Sequence, residues 1–422
     1  MSVSDESLPA PTMRLAPALR ALPRDLNLAT VGMGLVAGVF GLAVSLVILN
    51  GASRAGMGAA EAASWIFGVY FFGGVATILV ALVQRQPISF SWSIPGTALV
   101  LSALQGHTLP ELVGAYLIVG LIVVAVSLTG LVGRIVELLP FPIVVAMIAG
   151  ILMRFAIAVI GAGQAAPTVV AAALIGYFVA ARITPKVPGV LVALVCGAVA
   201  AVTASRVQLA AHALDFTLPT LVWPAWSGSA IFSVAVPLAL LIICAENVKG
   251  VGILMAAGYR PPANSMLFAS GLGTLACAVF GGHNLNVAGP MTAICSSAQA
   301  GRLEGRYAAS VVQGVVYVLF GLAASAAVGL VRALPSELIT TVAGLAMITP
   351  LIAALGAAFV TQRFQVGAIV SFVVGSTDLS IFSIGAPLWA LAFGIIASWL
   401  VEPASFNRSR TPSGSEAMLP GS

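Results

Sequence analysis

The chain has 422 residues, of which 60% are hydrophobic and 7% are charged, and its mean hydropathy is +1.10. Because about a quarter of the residues in soluble domains are charged, this composition excludes a soluble protein and indicates a polytopic membrane protein. The net charge of +5 is assigned to membrane topology and to contact with anionic lipids, and not to nucleic-acid binding.

The chain begins with a proline-rich stretch, residues 1–26, which predicts a flexible cytoplasmic N-terminus. Fourteen apolar segments follow, and most have the roughly 20 residues that a helix needs to cross about 30 Å of hydrocarbon. They span residues 27–50, 61–83, 88–104, 111–132, 141–161, 166–183, 188–206, 230–256, 264–281, 285–299, 307–333, 337–359, 364–382 and 385–401. Residues 403–422 predict a flexible cytoplasmic tail.

The basic residues predict the orientation of these segments. With a cytoplasmic N-terminus, all of the 18 basic residues except Arg54, Arg154, Arg206 and Arg332 fall on the cytoplasmic side. This bias follows the positive-inside rule. We therefore expect a multi-pass protein of the cell inner (plasma) membrane with both termini in the cytoplasm.

An internal repeat relates the third and the tenth segment. Residues 95–103 read PGTALVLSA and residues 290–298 read PMTAICSSA, with five identical positions at a constant offset. Seven crossings reverse the direction of the chain, so this repeat predicts the inverted topology of a secondary transporter. The alternative is a chance match between Ala-rich segments that form two kinked spanning helices.

Both copies of the repeat predict a helix that crosses only half of the membrane. An irregular or strand-like run, ISFSWSI at 88–94 and HNLNVAG at 283–289, precedes each proline. About ten residues of helix then span roughly 15 Å. Two such helices entering from opposite faces bring two N-termini together, each with about half a positive charge. The pattern therefore predicts an anion site between segments three and ten.

Glu246 is the clearest candidate for chemistry, since an acid inside an apolar segment is costly and indicates function. Burial disfavours the ionised carboxyl group, so Glu246 is expected to take up a proton when the substrate binds. The alternative is an acid near the cytoplasmic end that pairs with Lys249, three residues later.

Three other titratable residues leave alternatives open. Asp378 lies in a segment or in an outer connection, and Arg154 either attracts an anion or extends to the interface. His283 either relays protons or, as a neutral ring, supports the broken backbone.

The four cysteines, Cys196, Cys244, Cys277 and Cys295, lack metal-ligand spacing and are expected to be packing residues. We expect neither a cofactor nor a metal. No HExxH or GxSxG pattern occurs, so an enzyme is not expected.

Three stretches carry a resemblance to a known family: QPISFSWSIPGTALV at 86–100, AENVKGVGILMAAGYRPPAN at 245–264 and FGGHNLNVAGPMTAI at 280–294. They resemble the benzoate membrane transporter family, BenE, over essentially the whole chain. The resemblance implies a uracil-permease-like fold with a seven-plus-seven inverted repeat. It implies a core domain (27–134 and 230–334), a gate domain (135–208 and 335–402) and an extracytoplasmic connection (209–229).

The resemblance implies a transporter that imports benzoate or a similar small aromatic carboxylate with a proton, with Glu246 as the proton-coupling residue. Many members have Gln at the position of Glu246, glycine at that of Asn284 and no proline at that of Pro290. From the resemblance and the helix ends together, the expected substrate-binding residues are Phe90, Ser91, Trp92, Ser93, Gly96, Thr97, Asn247, His283, Asn284, Asn286, Met291 and Thr292.

Other functions and one further partner remain open from the sequence. A nucleobase or other organic-anion carrier of the same fold, and a passive anion channel, are the alternatives. The expected partners are a small organic anion, a proton and the lipid bilayer, with no nucleic acid. The resemblance also suggests a homodimer that forms through the gate domain.

Overall fold

The structure is a computed structural model that describes residues 15–130, 140–183, 189–207, 217–381 and 384–406. The first helices are α1 (Leu15–Asp25), α2 (Leu28–Ala43), α3 (Leu46–Arg54), α4 (Ala59–Gln84), α5 (Ile94–Ala103), α6 (Leu109–Thr129), α7 (Phe141–Ala165), α8 (Pro167–Ile183) and α9 (Gly189–Thr203). Residues 1–14 and 407–422, which belong to the ends that the sequence predicts to be flexible, lie outside the described residues. Within the stretch 1–26, which the sequence predicts to be flexible, residues Leu15–Asp25 form the helix α1.

The second part of the chain begins with a long helix, α10 (Gly228–Met255). It contains two π-helical turns, Ile231–Ala235 and Leu241–Glu246, on either side of Pro237, which has no N–H to donate. The following helices are α11 (Ala263–Ala278), α12 (Gly289–Ser296), α13 (Tyr307–Leu322), α14 (Ala324–Arg332), α15 (Ser336–Phe359), α16 (Gln365–Gly375) and α17 (Ala386–Val401).

Seven helical spans among the described residues are long and apolar enough to cross a membrane: Leu28–Ser53, Ala59–Gln84, Leu109–Thr129, Phe141–Ala165, Gly228–Met255, Leu303–Leu322 and Ser336–Phe359. The shorter apolar helices are α5, α8, α9, α11, α16 and α17. Large apolar side chains such as Leu128, Ile160 and Ile175 are exposed on the outer surface, as lipid contact requires. The chain is therefore a mostly helical polytopic membrane protein.

The helices pack in two sets. In one set α13 packs against α4 and α2, and α11 packs against α6 and α4. In the other set α7 packs against α15 and α16, α9 packs against α8, and α16 packs against α17. Glycines allow a close crossing of α4 and α13, since a Cβ on Gly74 would lie 2.5 Å from the Gly314 carbonyl oxygen. Such small residues let helix backbones approach closely in membranes.

A short strand precedes each half-length helix, and the two strands pair with each other. The strands β1 (Phe90–Ser91) and β2 (Asn286–Val287) directly precede α5 and α12, and they pair antiparallel with Phe90 opposite Val287 and Ser91 opposite Asn286. A second pair, β3 (Ser380–Ile381) and β4 (Ile384–Gly385), precedes α17. Both runs that the sequence predicts to be irregular or strand-like therefore contain a strand.

Two threonines support these strands in the same way. The Phe90 N–H donates to Thr77 Oγ1 at 2.8 Å, and the Thr77 hydroxyl donates to the Gly73 carbonyl within α4. The Leu285 N–H donates to Thr274 Oγ1 at 3.0 Å, and Thr274 donates to a carbonyl of α11 one turn earlier. Because irregular backbone at membrane depth must be satisfied by protein or water, these bonds stabilise both breaks.

Candidate functional site

A cavity of about 560 Å³ lies where α5 and α12 begin, which is within the usual size of a ligand site. Its wall is mainly apolar and includes side chains of α2, α7 and α15. Two charged side chains, Glu246 and Lys249, belong to the wall together with the polar residues Ser91, Ser93, Asn286, Tyr177 and Thr349. The cavity therefore combines a large apolar surface with one acid and one base.

The cavity lies toward one end of the molecule. Its lining comes from the start of α7 and α9, the end of α8, and the second halves of α10 and α15. These positions share one face of the molecule, on which α7 begins and α8 ends. At this end the Lys249 side chain of the wall is 50% exposed.

The predicted site residues divide into two groups. Those that line the cavity are Ser91, Trp92, Ser93, Glu246, Asn286 and Met291. The others are buried and do not belong to the described wall: Phe90, Gly96, Thr97, Asn247, His283, Asn284 and Thr292. The second group makes hydrogen bonds or packs beneath the wall, and so it holds the first group in position.

Ser93 caps the N-terminus of α5. Its Oγ accepts the Gly96 N–H at 3.0 Å, and its carbonyl accepts the Thr97 N–H at 2.8 Å. A serine side chain at this position satisfies an N–H that the helix cannot. The N–H groups of Gly96 and Thr97, which are two of the expected substrate-binding residues, are therefore engaged within the helix end.

The N-terminus of α12 has no such cap. Its N-cap residue is Ala288, which makes no side-chain hydrogen bond to the helix. The Ala288 carbonyl accepts the Thr292 N–H at 2.9 Å. Met291 is the third residue of α12, as Gly96 is of α5. Ser93 Oγ accepts the Gly96 N–H, whereas no N-cap side chain accepts the Met291 N–H. Of the two helix ends, that of α12 is the one suited to an anion.

His283 lies in a closed network beneath the cavity wall. The Trp65 indole N–H donates to His283 Nδ1 at 3.0 Å, and His283 Nε2 lies 2.9 Å from Thr97 Oγ1. Because an indole only donates, Nδ1 must be an acceptor, and the ring proton sits on Nε2, from which it bonds Thr97. The Thr97 hydroxyl in turn donates to the Ser93 carbonyl at 3.0 Å. His283 is therefore a neutral ring that holds the start of α5.

Three buried asparagines make hydrogen bonds around the cavity wall. The Asn284 amide donates to Asn286 Oδ1 at 2.7 Å, which orients Asn286 at the cavity wall. The Asn247 amide donates to the Ile242 carbonyl at 2.9 Å, and its Oδ1 accepts from the Ser270 hydroxyl at 3.0 Å. Asn247 therefore ties the second π turn of α10 to α11, and this turn carries the neighbouring acid.

Glu246 forms an ion pair with Lys249. The Lys249 Nζ lies 2.7 Å from Glu246 Oε2, and the Glu246 side chain is 7% exposed. The other carboxylate oxygen, Oε1, accepts from the Ser93 hydroxyl at 3.3 Å. Glu246 thus lines the cavity and also pairs with the lysine three residues later, so the two interpretations of its sequence are compatible.

Comparison with known proteins identifies the family. A family model described as benzoate membrane transport protein, BenE, matches residues 24–400. The chain belongs to the BenE family. It is 31% identical over 367 residues to the inner membrane protein YdcO of Escherichia coli, covering 86% of this chain and 94% of that protein. It is 26% identical over 385 residues to the benzoate membrane transport protein of Acinetobacter baylyi, covering 91% and 98%.

Solved structures show which fold this BenE-family chain has. The transmembrane domain of a cyanobacterium bicarbonate transporter, BicA, is similar with a TM-score of 0.62 and 16% identity, over 87% of this chain and 97% of that one. The structure of SLC26A9 is similar with a TM-score of 0.65 and 15% identity, over 91% and 67%. The chain is thus a membrane transporter of the benzoate type with this fold, and it is not an enzyme.

A second charged site of this BenE-family transporter lies at the other end of α5. Arg154 of α7 forms an ion pair with Asp378, and its guanidinium donates to Ser102 Oγ of α5 at 3.1 Å. These residues line a smaller cavity of about 250 Å³ with Gln105 and other residues. The two charges that the sequence left open therefore contact each other, away from the larger cavity.

Sequence reasoning left Lys249 out of the site. The i, i+3 spacing from Glu246 was the available signal, but it indicated an ion pair and not a second cavity residue. Gly289 was not selected either, although a Cβ there would lie 2.8 Å from Lys249 Cε. Its position directly before Pro290 at the start of α12 was the signal for it.

Proposed function

We propose that the chain imports a small aromatic carboxylate, such as benzoate, together with one proton across the inner membrane. The observation that carries this proposal is a mainly apolar cavity at the two helix starts that contains one acid and one base. An aromatic ring has apolar surfaces to pack against, including Trp92. The carboxylate has an uncapped helix end at Met291.

An inverted repeat of seven plus seven segments is part of this proposal. The prolines at 95 and 290 are separated by 195 residues (290 − 95 = 195). The helix starts Ile94 and Gly289 have the same separation (289 − 94 = 195), and so do the paired strand residues Ser91 and Asn286 (286 − 91 = 195). A residue that pairs antiparallel with its own counterpart lies on a two-fold axis, which supports two inverted copies.

The division into a core and a gate domain is proposed on the packing. The set that contains α4, α6, α11 and α13 corresponds to the proposed core, and the set that contains α7, α8, α9 and α15 to α17 corresponds to the proposed gate. The cavity lies where the two sets meet. Movement of one set past the other would expose the cavity to each side in turn, as in other transporters with repeats.

The proposed orientation puts both termini in the cytoplasm. The face to which the cavity opens is then cytoplasmic, because it carries the start of α7 and the end of α8. On this orientation the structure has an inward-open arrangement. On the opposite side the hydrogen bond from Arg154 to Ser102 joins the proposed gate to the proposed core, where it would close the outer path.

Glu246 is the proposed proton site. Two carboxylates in a cavity of low polarity repel, so an anionic substrate favours the protonated form of Glu246. Each transport cycle would then move one anion and one proton, which together carry no charge. The pH gradient would contribute about 1.4 kcal/mol per pH unit. The voltage would contribute nothing, although it is worth about 2.3 kcal/mol per 100 mV for a single charge.

The test is uptake of labelled benzoate into proteoliposomes that contain the full-length chain. Because neutral benzoic acid crosses lipid unaided, the quantity measured is the saturable rate above that of protein-free liposomes. A pH gradient of one unit without voltage should drive this uptake, and a voltage without a pH gradient should not. Voltage-driven current at equal pH on both sides would instead favour a passive anion channel.

Variants assign the proton in the same assay. Glu246→Gln should abolish uptake driven by the pH gradient but retain exchange of internal for external benzoate, because the cavity remains. Glu304→Gln is the matched control, since Glu304 is 59% exposed and pairs with Arg302 away from the cavity. Unchanged gradient-driven uptake by Glu246→Gln would remove Glu246 from coupling. Saturable uptake of uracil with no benzoate uptake would favour a nucleobase carrier.

A further inference from the structure

Lys249 is the one cation among the described residues that line the larger cavity. The proposed binding of a proton to Glu246 leaves this lysine without an assigned role. We propose that the Lys249 ammonium binds the substrate carboxylate and that Glu246 is its resident counter-ion, which the substrate displaces when Glu246 is protonated. This inference rests on the proposed function, because it names the group that recognises the anion.

The path of the lysine side chain brings it to the start of α12. A Cβ at Gly289 would lie 2.8 Å from Lys249 Cε and 3.3 Å from Lys249 Cδ. The side chain therefore passes directly over the first residue of α12. A side chain at position 289 would have to displace the flexible end of Lys249 from this path. The lysine stem thus crosses the helix end that has no side-chain cap.

The ammonium and the helix end both favour an anion in the same region. Lys249 carries a full charge, and the N-terminus of an eight-residue helix adds a partial positive charge with the N–H of Met291. Glu246 is the anion that occupies this region in the structure, with its Oε2 at 2.7 Å from Lys249 Nζ. A substrate carboxylate is chemically the same group, so it can take the same partner.

The charges of the cavity explain why exchange requires a proton. The ion pair of Glu246 and Lys249 has no net charge. An added substrate anion would leave a net charge of minus one in an apolar cavity, which is costly. If a proton from water binds Glu246, the carboxyl becomes neutral and Lys249 pairs with the substrate, so that the net charge is again zero. No bond other than the new O–H bond forms.

The structure also provides a partner for the protonated acid. Glu246 Oε1 lies 3.3 Å from Ser93 Oγ, which at present donates to it. A proton on Oε1 would reverse this bond, so that the carboxyl group donates and the serine accepts. Ser93 Oγ has two acceptor sites, so it can still accept the Gly96 N–H. The Ser93 hydroxyl hydrogen then becomes available to the substrate.

Binding of benzoate and of its neutral analogue benzamide to the purified full-length protein tests the inference. Lys249→Gln should weaken benzoate binding about tenfold or more, the usual effect of losing a charged hydrogen bond, and should leave benzamide binding nearly unchanged. Lys249→Arg should restore most of the benzoate affinity. Arg302→Gln is the control for loss of a positive charge, because Arg302 is 92% exposed.

The acid provides a second, independent measurement. In the wild type, benzoate binding should weaken with rising pH and should take up one proton from a weakly buffered solution. Glu246→Gln should bind benzoate with little dependence on pH and without proton uptake, because Lys249 is already free. The double variant Glu246→Gln with Lys249→Gln leaves no unpaired charge in the cavity. It should still lose the preference for benzoate over benzamide, even if Lys249→Gln alone folds poorly.

Two outcomes overturn the inference. One is wild-type benzoate affinity in Lys249→Gln, and the other is a retained preference for benzoate in the double variant. The proposed function fails in a different way, namely if the wild type does not couple benzoate uptake to protons. The binding measurements can therefore rule out Lys249 as the anion-binding residue while proton coupling is retained. The uptake measurements can also rule out proton coupling while Lys249 still binds the carboxylate.

Discussion

His283 is predicted to be a structural residue, and replacement by phenylalanine tests this. The substitution keeps a planar ring but removes the acceptor of the Trp65 N–H and the donor to Thr97, which lie at 3.0 and 2.9 Å. An orphaned buried indole N–H costs about 1–3 kcal/mol and the second lost bond about 1 kcal/mol. Thr97 still donates to the Ser93 carbonyl, so the hydroxyl group keeps one partner. We expect the free energy of unfolding to fall by about 2–4 kcal/mol in total.

The assay compares thermal unfolding and proton coupling in the same variant. His283→Phe should lower the unfolding temperature, while His107→Phe, in the partly buried connection between α5 and α6, should change it little. The folded fraction of His283→Phe should still take up benzoate with a proton. A relay role would require a proton on Nδ1, where the Trp65 N–H already points. Wild-type stability with lost coupling would therefore refute this reasoning.

Two further predictions concern the helix start and the opposite side. Gly289→Ala should displace the Lys249 side chain and weaken benzoate binding several-fold. Gly252→Ala is the control and should leave binding unchanged, because its added Cβ would meet nothing within 4 Å. Equal affinities of the two variants would contradict the described path of the lysine. Arg154→Gln removes the hydrogen bond that joins α7 to Ser102 of α5, so a cysteine placed at Leu99, which is buried and lines the smaller cavity, should react faster with a water-soluble thiol reagent. An unchanged rate would show that this bond does not close this side.

The half-length helices could be predicted because their cause is local. A proline in the first turn and irregular polar residues before it define where each helix begins, and the repeat supplies the same pattern twice. The observed starts at Ile94 and Gly289 lie one residue before the two prolines. The strand pairing is less local, but it follows once the two breaks are brought together at membrane depth.

The charged side chains of the site could not be predicted to the same depth. Glu246 is the last residue of a π turn, which adds a residue to the helix repeat and rotates the residues after it, including Lys249. The sequence pattern does not show such a turn, so the face on which Lys249 lies could not be derived. The ion pair of Arg154 and Asp378 joins positions far apart in the chain. An isolated charged residue does not form a repeating sequence pattern, so the sequence gives no indication of its partner.

One difference between the two helix starts predicts which of them binds the anion. Ser93 and Ala288 are equivalent N-cap residues (288 − 93 = 195) with similar backbone angles, φ −90° and ψ 124° against φ −81° and ψ 103°. In Ala288→Ser the new hydroxyl should therefore accept the Met291 N–H, as Ser93 accepts that of Gly96.

This substitution should have opposite effects on stability and on binding. A serine N-cap stabilises a helix by about 1 kcal/mol relative to alanine, so the unfolding temperature should rise. The cap would occupy the N–H that is proposed for the substrate carboxylate, so benzoate binding should weaken about tenfold while benzamide binding changes less. Higher stability with unchanged benzoate affinity would mean that the anion does not use the α12 end. The alanine at 288 would then need an explanation other than binding, because it leaves a helix end at membrane depth without a side-chain cap.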